Sequence, residues 1–336
     1  MILVTGGTGL VGSHLLFHLI TNKEPVKATY RKGSNLSKVE KVFSYYTSNF
    51  KELYQKINWV EADINDVPAL EIAFEQITKV YHCAALISFD PKKLKNLYKI
   101  NVEGTANIVN FCIAKNIKKL CYISSIATIG RGNDLSTSTE ETEWNDVDAN
   151  VYALSKYNAE MEVWRGTQEN LPVVIVNPGV IIGPGFWNTG SGILFKTAAK
   201  GRNYYPPGGT GFITVNDVVK MVSQLMNTTT INQRYIAVSK NYTYKEILSK
   251  ITHELSINPP TKELKFWQLE ILRYLDSLLN LVTSEGRKIT KSSIHGLKNR
   301  QLFSTKKIAE ELNFKYEVID NILKFCCAIY KEENKK

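Results

Sequence analysis

Tyr152 and Lys156 are the two side chains whose types and spacing have the clearest chemical use. They open a helical pattern over 151–166, and a separation of four places the phenol and the ammonium on one helix face. A free tyrosine, with a pKa of about 10, neither gives up nor accepts a proton readily at neutral pH. A cation about 4 Å away contributes about 4 kcal/mol at an effective dielectric near 20, or up to about three pKa units, enough to turn the phenol into a proton shuttle. Taken alone, such a pair recurs by chance and reads as readily as ordinary helix structure. It is not alone. Ser125 follows the apolar run 120–124, and a hydroxyl at the end of a strand can bond a substrate oxygen and stabilise charge developing there. The simpler use of such a serine is to satisfy a turn or cap a helix.

A second constellation would hold a phosphate. Thr5-Gly6-Gly7-Thr8-Gly9-Leu10-Val11-Gly12 contains GxGxxG as Gly7, Gly9 and Gly12, placed directly between an apolar run at 2–5 and a helical pattern at 13–20. Glycines there permit a tight turn and close approach of backbone to a pyrophosphate, and the helix N-terminus aims N–H groups at the anion. The strand–turn–helix setting is what gives the motif its weight. At the end of the second apolar run stand Arg31 and Lys32 with no carboxylate beside them. A carboxylate there would bond the ribose hydroxyls of NAD, whereas a guanidinium would grip a 2′-phosphate, so the cofactor expected is NADP or NAD, with NADP favoured. A solvated basic loop is the alternative.

These residues need a scaffold, and the hydrophobic periodicity supplies one. Short apolar runs at 2–5, 26–30, 59–62, 80–83, 120–124 and 173–176 alternate with helical patterns at 66–77, 92–114 and 151–166. Parallel strands need helical crossovers that cover both faces, so the predicted fold is α/β, a Rossmann-type doubly wound parallel sheet. From Asn177 the texture changes to glycine, proline and aromatic residues, core-like segments return at 212–226 and 235–238, and the chain from Thr243 is helical and lysine-rich. The expected division is a nucleotide-binding domain over 1–178 with about 212–240, and a smaller, mainly helical lobe over 179–211 and 241–336 that binds substrate.

The 336 residues are 43% hydrophobic, ample for a sizeable core, and carry a formal charge of +10. The lysines are scattered among acids with no Arg-rich, aromatic-interleaved block, which argues against nucleic acid and suits a phosphorylated cofactor. Five cysteines without CxxC spacing suggest neither a disulfide framework nor a metal site, and hence a reducing compartment. The start at Met1, Ile2, Leu3 and Val4 lacks a basic leader region, so the expected location is the cytoplasm.

Together the segments TGGTGLVG, Asp63 and Ile64 after the third run, HCAA at 82–85, Asn101 to Thr105, SSIATIG, YALSK and NPGVIIGPG at 177–185 resemble an extended short-chain dehydrogenase/reductase of the NAD-dependent epimerase/dehydratase superfamily over at least residues 1–240. The resemblance implies that Asp63 and Ile64 line an adenine and that Ala84 and Ala85 border the cofactor. It implies a structural or proton-relay role for Asn101, a bond from Lys156 to the nicotinamide ribose, and packing of Pro178, Gly179, Val180 and Ile181 near the nicotinamide. Counting back from Gly130, the family's catalytic serine falls on Ser125, not Ser124. Asp63 as a helix cap and Asn101 as a turn residue are the plainer uses.

Within that family, sugar-nucleotide enzymes usually carry a basic residue where this chain has Thr210 and Gly211, and dehydratases tend to place acids beside the serine, where Ile126 and Ala127 stand. The segments are closer to the dihydroflavonol reductase and 3β-hydroxysteroid dehydrogenase branch. The expected function is interconversion of a carbonyl and an alcohol on a small, apolar or ring-containing substrate. A nucleotide-sugar epimerase or dehydratase with tightly held NAD is the alternative, and a non-catalytic NAD(P)-binding sensor a third reading. Phe186, Trp187, Tyr204 and Tyr205 suit a ring-containing substrate or ordinary lobe core equally. The stretch 266–282 carries Ile271, Leu275, Leu278, Leu279 and Val282 at helical spacing, too short and polar to span a bilayer, and open to use in packing, a pocket lid, a homodimer contact or a membrane surface.

Overall fold

The computed structural model describes residues 1–130, 137–146, 149–283 and 291–335. The chain begins with β1 (Ile2–Thr5), α1 (Leu10–Thr21) and β2 (Val26–Tyr30), followed by two short helices, α2 (Ser37–Ser44) and α3 (Phe50–Gln55). Then come β3 (Asn58–Glu61), α4 (Val67–Ala73), β4 (Lys79–His82), α5 (Leu94–Leu97), α6 (Gly104–Ala114), β5 (Lys119–Ile123), α7 (Val151–Gln168) and β6 (Val173–Pro178). The remainder is β7 (Val180–Ile182), α8 (Gly192–Ala198), β8 (Tyr204–Tyr205), β9 (Gly209–Thr214), α9 (Val215–Asn227), β10 (Gln233–Ala237), β11 (Lys240–Thr243), α10 (Tyr244–Glu254), β12 (Lys262–Glu263), α11 (Phe266–Thr283), α12 (Lys291–Lys298), α13 (Lys306–Glu311) and α14 (Ile319–Glu333).

Seven strands form one sheet in the order β3-β2-β1-β4-β5-β6-β10, every neighbouring pair parallel. The direction of winding reverses between β1 and β4, which opens a crevice at the carboxyl ends of those strands. Alternation along each strand splits the core into two layers. Ile2 and Val4 of β1, Cys121 of β5 and Val174 and Val176 of β6 pack with α1 and α9. Leu3, Leu120, Tyr122, Val173 and Ile175 pack on the other face with α4, α6 and α7. The expected Rossmann-type doubly wound sheet is therefore the observed one.

Two departures from the sequence pattern have physical causes. The helical pattern over 92–114 is not one helix: a 3₁₀ turn at Pro91–Lys93, α5, a π-helical turn at Tyr98–Glu103 and then α6 share it. Asn101 is buried within this wider turn. The segment 31–58, unassigned from sequence, forms α2 and α3, with Val39, Val42 and Phe43 buried at helical spacing.

Beyond β6, two small sheets form. β9 pairs parallel with β7 and antiparallel with β11, and β12 pairs with β8. Phe195, Phe212, Ile247, Ile251, Ile322, Leu323 and Cys326 make a third core between α8, α10 and α14, joined by Trp187 and Tyr205. Ile308 and Phe314 instead belong to the core shared with α1 and α9. α11 places Phe266, Trp267, Ile271, Leu272, Tyr274 and Leu275 at the surface; the side chains of Leu278, Leu279 and Val282 lie outside those described. Among the described residues, no helix is long and apolar enough to cross a membrane.

Candidate active site

The glycine-rich loop leaves β1 at Thr5 and enters α1 at Leu10. Gly6 has φ of +70°, and a Cβ there would stand 2.5 Å from the Ala84 nitrogen. The loops after β1 and β4 thus touch backbone to backbone, which only glycine allows. A Cβ at Gly12 would stand 2.2 Å from the Gly6 carbonyl oxygen. Gly9 heads α1 with no side-chain cap, so the first-turn amides of Leu10, Val11 and Gly12 have no side-chain acceptor. A cradle closed to side chains and lined by uncapped N–H groups fits the pyrophosphate of a dinucleotide.

The other residues expected at the cofactor spread along the same carboxyl edge. Arg31 and Lys32 follow β2, exposed, with no ion pair to either side chain among the described residues. Asp63 follows β3 and accepts the Asn65 backbone N–H at 2.9 Å, an Asx turn; the cap of α4 is Asp66, which accepts from Ala69. Ile64 is buried against Gly104. Ala84 and Ala85 lie just past β4, Ala84 half-buried and Ala85 exposed. Pro178 ends β6, while Gly179, Val180 and Ile181 are half-buried where the chain passes into β7.

Asn150 caps α7 by accepting the Ala153 N–H at 2.8 Å, which sets Tyr152 in the first turn and Lys156 one turn on. Tyr152 is half-buried, and Phe89 meets its ring edge-on at 5.5 Å between centroids. Burial pushes the Tyr152 phenol up, and a hydrogen bond with Ser125 draws it partly back. This direction is opposite to the lowering expected from a neighbouring ammonium, and the reason is geometric. Lys156 donates to Tyr122 Oη at 2.6 Å and to the Ile123 carbonyl at 2.9 Å, both on β5. Burial brings Lys156 down to about 7, against the opposing pull of Glu160.

The two serines after β5 have separate partners. Ser124 is buried and donates to Glu160 Oε2 at 2.5 Å. Ser125 remains half-buried beside Tyr152, with its Oγ also accepting the Ala127 N–H at 3.2 Å. Asn101 donates to Ser155 Oγ at 2.9 Å and to the Leu86 carbonyl at 3.0 Å, and accepts the Leu86 N–H at 2.7 Å. It pins the loop after β4 to the start of α7, a tie between two segments of the site and not a turn within one. The structure thus brings Ser125 and Tyr152 together, seats Lys156 against β5, and puts Asn101 behind them.

Sequence reasoning passed over the polar layer beneath. Glu160 is fully buried and its Oε2 accepts from Ser124, from Thr128 at 2.8 Å and from Asn177 at 2.9 Å. Arg234 reaches its Oε1 at 3.5 Å. The signal was present: Glu160 stands four residues past Lys156, on the same face of α7. His82 is also buried, between Thr5 Oγ1 at 2.6 Å and Thr105 Oγ1 at 2.9 Å, and burial brings it down to about 3.

Comparison with known proteins agrees with this geometry. A family described as "NAD dependent epimerase/dehydratase family" matches residues 2–237. A protein of Synechocystis, provisionally named a dihydroflavonol 4-reductase, is 30% identical over 275 residues, covering 79% of this chain and 75% of the relative. Tetraketide alpha-pyrone reductase 2 of Arabidopsis thaliana is 27% identical over 261 residues, 73% of this chain and 80% of the relative. Among solved structures, gox2253 superposes with a TM-score of 0.82 at 24% identity, covering 99% of this chain and 98% of that one. The UDP-glucose 4-epimerase of Thermotoga maritima gives 0.74 at 19% identity over 99% of each chain. At these identities both structures speak to the fold alone. The chain belongs to the NAD-dependent epimerase/dehydratase family and is an extended short-chain dehydrogenase/reductase enzyme.

Proposed function

We propose that the protein interconverts a ketone or aldehyde with the corresponding alcohol on an apolar, ring-containing substrate, using NADPH in preference to NADH. The observation that carries this reading is the pairing of the Ser125 and Tyr152 hydroxyls at the carboxyl edge of the sheet, with the Phe89 ring against the phenol. Two hydroxyls side by side can hold one substrate oxygen. Because burial keeps the Tyr152 phenol protonated at neutral pH, it is ready to donate as a carbonyl oxygen gains charge. Ser125 donates a hydrogen bond to the same oxygen. Lys156, with two of its three N–H groups on β5, has one left for a ribose hydroxyl. When bound, the nicotinamide supplies the hydride.

The glycine loop and the first turn of α1 would hold the pyrophosphate, and Arg31 and Lys32 a 2′-phosphate. Against a sugar-nucleotide substrate stands Gly211, where a Cβ would be 2.5 Å from Val238 Cγ2, so no basic side chain fits at that position. The relatives named as reductases of a dihydroflavonol and a tetraketide alpha-pyrone point the same way. The free thiols, four of them buried, suit work in the reducing cytoplasm.

The test is absorbance of the reduced nicotinamide when NADPH or NADH is mixed with the protein and a panel of aldehydes, cyclic ketones and sterol-like ketones. Substrate-dependent loss, falling at least about 100-fold in Tyr152→Phe while cofactor binding persists, is the expected result. Cofactor binding with no turnover of any carbonyl would overturn the reading and redirect the search to sugar nucleotides.

A further inference from the structure

Lys156 is held by a phenol for which the chemistry above has no use. Its ammonium donates to Tyr122 Oη at 2.6 Å and stands 4.3 Å from the centroid of that ring. Tyr122 itself is fully buried on β5. Thr105 of α6 also acts on that phenol, in the sense that favours its ionised form. Thr105 Oγ1 lies 2.9 Å from His82 Nε2, and His82 Nδ1 lies 2.6 Å from Thr5 Oγ1. With the imidazole held neutral by burial, one ring nitrogen accepts and the other donates. Behind Tyr122, the buried Thr105, His82 and Thr5 form a hydrogen-bonded row that ends at the mouth of the glycine loop.

We propose that Tyr122 is a positioning residue for Lys156: its hydroxyl fixes the ammonium against β5 and sustains its charge, leaving one N–H for the cofactor. The inference rests on the reading of Lys156 as part of the active site. The charged or titratable groups facing Lys156 are Glu160 from its own helix, His82 and Cys83 from the end of β4, and Tyr122 from β5. Glu160 supports the charge by Coulomb attraction through the polar layer, and Tyr122 supports it by a charge-assisted hydrogen bond. Phenylalanine in place of Tyr122 would keep the ring face and remove only that bond.

The experiment follows the Lys156 titration directly. Lysines labelled with ¹³C at Cε are recorded from about pH 5 to about pH 10 in the full-length protein, with the Lys156 resonance identified by its loss in Lys156→Arg. In Tyr122→Phe the midpoint is expected to fall by about one pH unit, equivalent to a tenfold change in the protonation equilibrium, with thermal stability close to that of the native protein. Thr105→Val, which leaves the Lys156–Tyr122 bond in place, is expected to move it by less. Coincident curves for the native protein and Tyr122→Phe would overturn the proposal. Should Tyr122→Phe fail to fold, an unmoved midpoint in Tyr122→Leu, which removes the same hydroxyl, would overturn it equally. The readout needs neither cofactor nor substrate, so it fails or succeeds independently of the carbonyl assay.

Discussion

α7 and α11 are both 18 residues long, yet they use their surfaces in opposite ways. α7 buries Ser155, Lys156 and Glu160, and each of these three side chains has a partner on β5, β6 or the π-helical turn. α11 buries Leu269 but leaves Trp267 58% and Tyr274 61% exposed, and its Arg273 pairs with Glu270 on the same helix. The polar helix is tied into the body, and the apolar one presents most of its described hydrophobic side chains outward. Of these two helices, the one whose buried polar side chains find partners in other segments is the one set into the body of the protein.

That contrast can be broken at three points. Glu160→Ala should cost the most, about 3 kcal/mol in chemical denaturation, because Ser124, Thr128 and Asn177 would lose their shared acceptor and Arg234 its carboxylate. A loss under about 1 kcal/mol would mean the layer is not what fixes α7. Lys156→Met should act in the other direction. The folded pKa of Lys156, about 7, lies below that of the unfolded chain, so between the two values the unfolded chain binds the extra proton. The penalty of burying the ammonium is thus full below pH 7 and fades as the pH rises towards the unfolded value. The variant should be more stable than the native protein by about 1–2 kcal/mol near pH 6, with the gain shrinking on the alkaline side; a gain independent of pH would contradict the assignment. Trp267→Ser should change stability by no more than about 0.5 kcal/mol, since its ring is mostly in water already. A larger loss would place a partner on α11.

The same contrast explains what could be read in advance. The parallel sheet was legible because Ile2 to Val4, Leu120 to Ile123 and Val173 to Val176 are apolar runs buried on both sides, separated by helical periods. The glycine loop was legible because Gly6 and Gly12 sit where a Cβ meets backbone, a constraint that residue type alone records. The spacing of Tyr152 and Lys156 told which helix face they share but not where each side chain turns. That depended on Tyr122, which stands 34 residues from Lys156 and looked like one more apolar position in a strand. Glu160 was hidden for the complementary reason: a carboxylate in a helix of mixed polarity reads as a solvated surface charge until Ser124 and Thr128 from the connection after β5 and Asn177 from β6 are brought to it.

The π-helical turn at Tyr98–Glu103 carries a consequence for how this region can change over time. Each residue of an α-helix advances the chain by about 100°, and a π turn accommodates one residue more than an α turn in the same stretch of axis. Removing one residue of this turn other than Asn101 would let α5 and α6 fuse into a regular helix, with α5 rotated by about that angle relative to α6. Asn101 would then swing away from either Leu86 or Ser155, and the two segments it joins would come apart. The length of the segment, and not only the identity of Asn101, therefore keeps the two segments joined, and a deletion no larger than a single codon would undo it.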